Sequence, residues 1–580
     1  MKFRAFIFVL FSFLFSSAHA DVLTVPIPYP TIQSAVVAAA AGDTVLVDSG
    51  TYQENVVFQG REIALLSLHD AASTTINGGT AGPAILVSAG EGRGLVIMGF
   101  TITGGESWSP ISNRGIEIIG SSPTILNNII EQNYSGHIAT PYGGGICAIE
   151  GSSPWIEGNV IRSNRSQSDT HNAWGGGIYL RSDIGLPFPA GIKGNQIESN
   201  ESSGVSGAGG GIYVSVADAS DCLINENDIS FNSTGSFVEA AEGGGLWANC
   251  LVEDNIIYQN TADGISTSGG GLTLLAPGTA SNNTIQGNRC HADDSIFDTH
   301  SYGGGVWSDG KLVLNLIVEN IAEHFIWESG WERDVSCLGG GVYFQGDTLR
   351  SNTIAGNSLS GEYDVYGAGV FYPSGTPAII QCLVCNNTFE SSNGLGGGIA
   401  TMWGSAPVVS CNDVWNNDQS NYSGFSDPTG TDGNISVNPV FCGHDPQDYT
   451  IAEISPCAPG NHPDGDDCGY IGARGIGCSG ASVPGVEIHP QLNFTVFPNP
   501  TQDGSRLGFS LSKSVPVRLT IHDVSGRVVR RLMGGLQDAG YREAVWDGKS
   551  DKGEPLPPGV YLARIVIPGM IQSEKVILAR

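Results

Sequence analysis

The sequence predicts an all-β chain: a right-handed single-stranded parallel β-helix, which is a solenoid, followed by a small β-sandwich. Two alternating landmarks carry the first part, and a change of pattern after residue 490 carries the second. One landmark is a pair of asparagines five residues apart, each embedded among aliphatics, as in Asn128 and Asn133 with Ile125 and Ile130. It returns at Asn159/Asn164, Asn195/Asn200, Asn227/Asn232, Asn255/Asn260, Asn283/Asn288, Asn315/Asn320, Asn352/Asn357 and Asn412/Asn417, with Cys382 replacing the first asparagine beside Asn387. The other is a glycine triplet before an aliphatic residue, beginning at Gly143, Gly175, Gly209, Gly243, Gly269, Gly303, Gly339 and Gly396, with the variant Gly367-Ala368-Gly369. Self-similarity at a period of about 30 residues is the mark of stacked supersecondary units that bury their apolar faces on each other.

Each element follows from local rules. Pairs such as Ile178 and Leu180 alternate at period two, so they form short strands with one face inward. The glycines mark corners, where stacked backbones approach closely and φ turns positive. Asparagines repeated at one corner can hydrogen-bond the coils above and below as a side-chain ladder. No Lys-Ser or Lys-Thr follows the glycines, so they are not a phosphate loop.

Composition narrows the function classes. A net charge of −31 with 26 Lys plus Arg argues against nucleic acid and against anionic membrane surfaces. With 82 glycines, helix content should be very small. Lys2 and Arg4, an apolar run from Phe6 to Phe15 and the small residues around Ala18 and Ala20 read as a signal peptide over residues 1–20. The run is too short for a transmembrane segment, and none is expected downstream. The chain is therefore expected to be exported, to the cell surface or beyond.

At the upstream end, Tyr29-Pro30-Thr31-Ile32-Gln33 leads into an alanine-rich helix ending at Gly42, then Asp43-Thr44-Val45-Leu46-Val47. This resembles the N-terminal entry of pectin-lyase-like β-helix proteins, in which a short amphipathic helix plugs the first coil. The alternating landmarks also resemble the repeats of chlamydial polymorphic outer-membrane proteins. At the other end of the solenoid, expected to span residues 21–480, Asn438-Pro439-Val440-Phe441 and Gly469-Tyr470-Ile471-Gly472 resemble a closing coil of exported β-helix proteins. Cys442, Cys457, Cys468 and Cys478 fall there and suggest two disulfides with three possible pairings. Cys222 and Cys250 hold equivalent places in neighbouring coils and are a further disulfide candidate.

A linker is expected over residues 481–490 and a sandwich over 491–580. Alternation through Leu519-Thr520-Ile521-His522 and Val528-Val529-Arg530-Arg531 predicts its strands. Phe497-Pro498-Asn499-Pro500, Trp546-Asp547-Gly548, Gly559-Val560-Tyr561 and the terminal Lys575-Val576-Ile577-Leu578 resemble flagellar-hook-assembly-like immunoglobulin domains and type IX secretion sorting domains. The resemblance implies delivery to the surface, with secretion machinery as a partner of this domain.

Candidate function rests on side chains, since the β-helix hosts lyases, hydrolases, adhesins and spacers alike. Four residues past the first glycine of each triplet stand Tyr179, Tyr213, Trp247, Trp307, Tyr343 and Phe371, interrupted by Cys147, Thr273 and Ala400. Tyr142, Trp174, Tyr302 and Tyr366 precede triplets. Alternation turns the first series outward, which predicts an aromatic flank suited to stacking an extracellular polysaccharide or surface glycan; the competing reading is that loops cover these rings. Two long loops in consecutive coils add His291, Asp293, Asp294, Asp298 and His300, and Glu323, His324, Trp327, Glu328, Trp331, Glu332, Arg333 and Asp334. Such carboxylates can do acid/base chemistry, bind Ca²⁺ or merely solvate a loop. No cofactor is specified by a motif. Polygalacturonase, pectate lyase and pectin methylesterase patterns are missing, so a binding, adhesive or scaffold protein is expected ahead of a polysaccharide lyase or glycoside hydrolase, with a purely structural spacer as the third alternative.

Overall fold

The computed structural model describes residues 20–79, 82–104, 114–136, 141–293, 299–325, 335–361, 364–389, 394–402, 406–443, 448–478, 494–497, 499, 501, 504–511, 515–523, 527–538, 540–567 and 570–579. The expected signal peptide up to residue 19, the linker at 481–490, and Asp294, Asp298, Trp327, Glu328, Trp331, Glu332, Arg333 and Asp334 lie outside the described residues. The chain forms two compact units. One runs to Val440 and takes in Ile454–Gly475; the other joins Phe441–Glu453 to Ile476–Arg580. The region expected as one closing coil is thus divided between them.

The first unit is a parallel solenoid. Sheet A has fourteen strands, from Val22–Val25 to Val408–Ser410; sheet B has thirteen, from Gly50–Gln53 to Asp413–Trp415; sheet C has thirteen, from Val56–Val57 to Tyr422–Ser423. Two more sheets join from the middle coils onward, sheet D from Tyr134–Gly136 and sheet E from Ala173–Trp174. One coil shows the order: Leu251–Glu253 in A, Ile256–Tyr258 in B, Thr261–Gly264 in D, Ser266–Ser268 in E and Leu272–Leu274 in C. Inward positions such as Val252, Ile257, Leu272 and Leu274 are fully buried and continue through the coils as one core.

The two asparagines occupy the A–B and B–D corners. Asn255 Nδ2 donates to Asn283 Oδ1 at 3.0 Å and to the Ile224 carbonyl at 2.8 Å, and Asn260 repeats this with Asn288 and Ile229. The residue before each ladder asparagine is held in the left-handed region, including Asp254 (φ 57°) and Gln259 (φ 50°). Non-glycine residues rarely sit there, and the ladder over-determines the corner enough to hold them. The triplet lies at the E–C corner, with Gly243 at φ 57°. A Cβ on Gly244 would lie 2.4 Å from the Gly270 carbonyl, and one on Gly245 2.8 Å from the Asn260 amide, so the two landmarks pack on each other across the coil.

The upstream end is closed by the helix Ile32–Ala38, which buries Ile32, Ala35 and Val36 and stops short of the expected Gly42. Thr31 caps it, and the Glu54 carboxylate accepts from the Ile32 and Gln33 amides at 2.9 Å. Downstream, Ile454–Gly475 folds back on the outer face of sheet B. The Gly472 amide donates to the Gln381 carbonyl at 2.8 Å, the Ala473 amide to Thr353 Oγ1 at 2.9 Å, and Arg474 reaches Asn282 and Thr284 at 3.0 and 2.9 Å. The outward column that runs through Glu131, Arg162 and Glu198 in earlier coils becomes Val318, Ala355 and Cys385, which are buried. That switch is readable in the sequence, but only once the strand's outer face is known.

The cysteines correct the expectation. Cys411 pairs with Cys468 and Cys442 with Cys478, at Cα separations of 5.4 and 5.7 Å, leaving Cys457 a buried thiol. Cys411 was missed because it replaces no landmark and lies upstream of the cluster. Cys222 and Cys250 are also thiols rather than a bridge. Side chains in register on parallel strands keep roughly the 4.8 Å strand spacing, wider than the ~3.8 Å Cβ separation of a disulfide.

The second unit holds a short parallel pair, Ile451–Ala452 with Ile476–Cys478, and an antiparallel sandwich. Thr495–Phe497, Ser505–Leu511 and Gly540–Trp546 form one sheet; Val528–Gln537, Val515–His522, Gly559–Ile567 and Met570–Leu578 form the other. Trp546, Phe509, Leu519, Ile565 and Val576 fill its core. The Tyr561 hydroxyl donates to the Pro557 carbonyl at 2.7 Å, pinning the start of its strand.

Candidate functional site

The outward aromatic series is in register: Cys147, Tyr179, Tyr213, Trp247, Thr273, Trp307, Tyr343, Phe371 and Ala400 pair successively along sheet C. The residues before the triplets form a second column on sheet E, through Tyr142, Trp174, Ala208, Glu242, Ser268, Tyr302, Leu338 and Tyr366. Only the glycine corner separates the columns, so their rings lean over it and interleave. Tyr142 and Tyr179 stack at 4.6 Å between centroids, Tyr179 and Tyr213 at 5.1 Å, and Tyr213 and Trp247 at 4.4 Å. A second group joins Tyr302, Trp307, Tyr343 and Phe371. Thr273, whose hydroxyl turns to the Ser268 carbonyl, separates the two.

This packing corrects the expectation of an open aromatic flank. Tyr179 is 1% exposed, Phe371 is fully buried, and Tyr213, Trp247 and Tyr343 are buried as well; Trp307 is half-buried. The cover is supplied by the neighbouring rings rather than by loop backbone alone. Burial pushes the Tyr213 and Tyr343 phenols up to about 12. Trp247 Nε1 donates to Glu242 Oε2 at 2.9 Å, and burial raises that carboxyl. Rings buried in this way contribute stability along the solenoid and present no face to a ligand.

The groove opens at its upstream end. Cys147 is too small to continue the stack beyond Tyr179, and a concavity of about 440 Å³ is lined by Tyr142, Ile149, Glu150, Gly151, Tyr179, Arg181, Asp183 and Ile184. Tyr142 is half-buried, whereas Glu150, Arg181, Asp183 and Ile184 are exposed. Arg181 forks onto Asp183 at 3.1 and 3.2 Å. The loop carrying Asp183 and Ile184 is held at both ends, by Ser182 Oγ donating to the Ile184 carbonyl at 2.6 Å and by the Leu186 amide donating to Asp221 at 3.1 Å. Sequence reading missed this site because Arg181, Asp183 and Ile184 are a local loop with no recurring counterpart; Tyr142 and Tyr179 were the visible part of it.

The described parts of the two long segments include the neighbouring sheet D strands Arg289–Asp293 and Ile321–Phe325. His291 Nδ1 lies 2.8 Å from Glu323 Oε1 in the next coil, and Arg289 also pairs with that carboxylate. The Glu323 hydrogen bond raises the His291 pKa, favouring the charged imidazole in a contact that ties adjacent coils. Asp293 ends the same strand as His291 and is half-buried. His300 contacts Ser336 Oγ at 2.8 Å, and His324 is buried and lowered to about 4 by desolvation. Among the described residues no group of three or more His, Cys, Asp or Glu is placed to hold a metal ion, and no helix is long and apolar enough to cross a membrane.

Residues 75–321 match the family model of the right handed beta helix region, and residues 497–566 that of the FlgD Ig-like domain. This chain is a right-handed β-helix protein with a C-terminal FlgD Ig-like domain. No curated protein matches this β-helix protein. Among solved structures, it is similar to dimeric latent PorU from Porphyromonas gingivalis at 24% identity with a TM-score of 0.14, over 15% of this chain and 9% of that one. Only a small part of PorU is therefore spanned.

Proposed function

We propose that this β-helix protein is exported, is delivered to the cell surface through its FlgD Ig-like domain, and binds carbohydrate at the open upstream end of its aromatic groove. The observation that carries the reading is the concavity itself: a half-buried tyrosine ring beside a guanidinium and two carboxylates, Asp183 on a loop fixed at both ends and Glu150 in the preceding coil. A pyranose lays its C–H face on such a ring while its hydroxyls reach charged groups around the rim. Glu150 and Asp183 are both open to solvent, whereas a glycosidase keeps its acid protonated by burial, so the arrangement suits holding a sugar better than cleaving it. Beyond the concavity the interleaved rings serve as a stiff spine, which is the scaffold part of the same reading. Export is supported by the leader pattern and by the two disulfides.

Titration calorimetry of the full chain with neutral oligosaccharides tests the binding. Tyr142→Ala should weaken it by about 1–3 kcal/mol, the range for stacking on an aromatic platform. Unchanged affinity in a variant with the parent circular dichroism spectrum would refute the site. Removal of residues 491–580 should prevent surface display, and undiminished display would refute the delivery role.

A further inference from the structure

We infer that the concavity selects a neutral N-acetylated amino sugar, an assignment that rests on the carbohydrate reading above. Three features of the lining point the same way. First, one arginine stands against two carboxylates, Glu150 and Asp183, and the arginine is already forked onto Asp183. The site carries an acidic surplus in a chain of net charge −31, which disfavours uronates and sulfated sugars. Second, Ile149 and Ile184 face the concavity, and Ile184 is 65% exposed with no described ring covering it. An unsubstituted hexose has no methyl group to set against such a wall, so its burial there would leave hydroxyls against aliphatic carbon. Third, the wall sits beside both a donor and acceptors: Arg181 can donate to an amide carbonyl, and Asp183 or Glu150 can accept from an amide N–H.

The three together match an acetamido substituent, which offers a methyl, a carbonyl and an N–H within one rigid plane. A 6-deoxy sugar would set a methyl on the aliphatic wall, but its hydroxyls do not hold an acceptor and a donor in one plane with that methyl. The pyranose ring that carries the substituent is then left for Tyr142, with Tyr179 buried behind it as support.

The test is calorimetric titration of the full chain with the β-1,4-linked trimers of N-acetylglucosamine and of glucose, with trigalacturonate as a third arm. The N-acetylated trimer should bind at least about tenfold tighter than the glucose trimer, the discrimination expected of one buried methyl-sized group with matched polar contacts. Ile184→Ser, at an exposed loop position where folding is not at stake, should bring the two neutral trimers within about twofold of each other. Arg181→Gln should reduce the preference as well. Equal affinities in the parent protein, a preference that survives Ile184→Ser, or tighter binding of trigalacturonate would overturn the acetamido assignment while leaving carbohydrate binding in place. Failure of all three trimers to bind would overturn both.

Discussion

Replacing Asn260 by alanine should unfasten the solenoid at one corner, and the cost can be worked from its partners. Asn260 Oδ1 accepts from the Asn232 amide at 2.9 Å and from Asn232 Nδ2 at 3.0 Å, while its own Nδ2 donates to the Ile229 carbonyl and to Asn288 Oδ1. Asn288 Oδ1 keeps the Asn260 backbone amide after the substitution. The Asn232 amide and one Asn232 Nδ2 hydrogen do not keep a partner, and both are in the core, whereas the Ile229 carbonyl stays in the parallel ladder opposite Tyr258. A buried orphan costs about 1–3 kcal/mol, so the variant should lose at least about 2 kcal/mol before any cavity is counted. Gln196→Ala, at an exposed strand position, is the control and should stay within about 0.5 kcal/mol. Denaturant unfolding gives the global change. Amide hydrogen exchange at Asn232 gives the local one, which matters because a solenoid can open in part. If Asn260→Ala costs less than about 1 kcal/mol and the Asn232 amide stays protected, the ladder is not what holds the corner.

Three further outcomes are expected. Asp413 accepts from the Val437 amide at 3.0 Å and lies 3.1 Å from the Cys457 thiol, and burial raises its pKa to about 6. Because the folded state holds this proton more tightly than the unfolded one, its contribution is complete below about pH 4 and is lost as pH rises through 6. Thermal melts of the full chain should therefore decline across that window by an amount that Asp413→Asn removes, and an identical pH profile in the variant would refute the assignment. Non-reducing peptide mapping should recover Cys411–Cys468 and Cys442–Cys478 with Cys222, Cys250 and Cys457 alkylated; any disulfide containing Cys457 would contradict the pairing. Tyr213→Ala, which removes a ring stacked between Tyr179 and Trp247, should cost about 3–5 kcal/mol by denaturant unfolding, whereas a change near zero would mean that the ring is not packed as described.

The sequence by itself determined the solenoid, its coil length, the asparagine and glycine corners and the sandwich, because each coil repeats the same local solution: period-two aliphatics for strands, asparagine where a side chain must bond along the stack, and glycine where a Cβ would strike the next coil. It also put Tyr179, Tyr213 and Trp247 in one column, since side-chain alternation survives from coil to coil. Whether those rings face water was decided elsewhere. Exposure depends on the angle at the glycine corner, which swings the Tyr142 and Trp174 column onto them, and no spacing rule contains that angle. The same limit hid the Cys411–Cys468 bridge and the return of Ile454–Gly475 over sheet B, because both join residues far apart in the chain through a chain reversal that no local pattern encodes. Only the folded structure brings Tyr142, Arg181, Asp183 and Ile184 around one concavity, by ending the aromatic stack at the small Cys147 and setting a single irregular loop beside the gap.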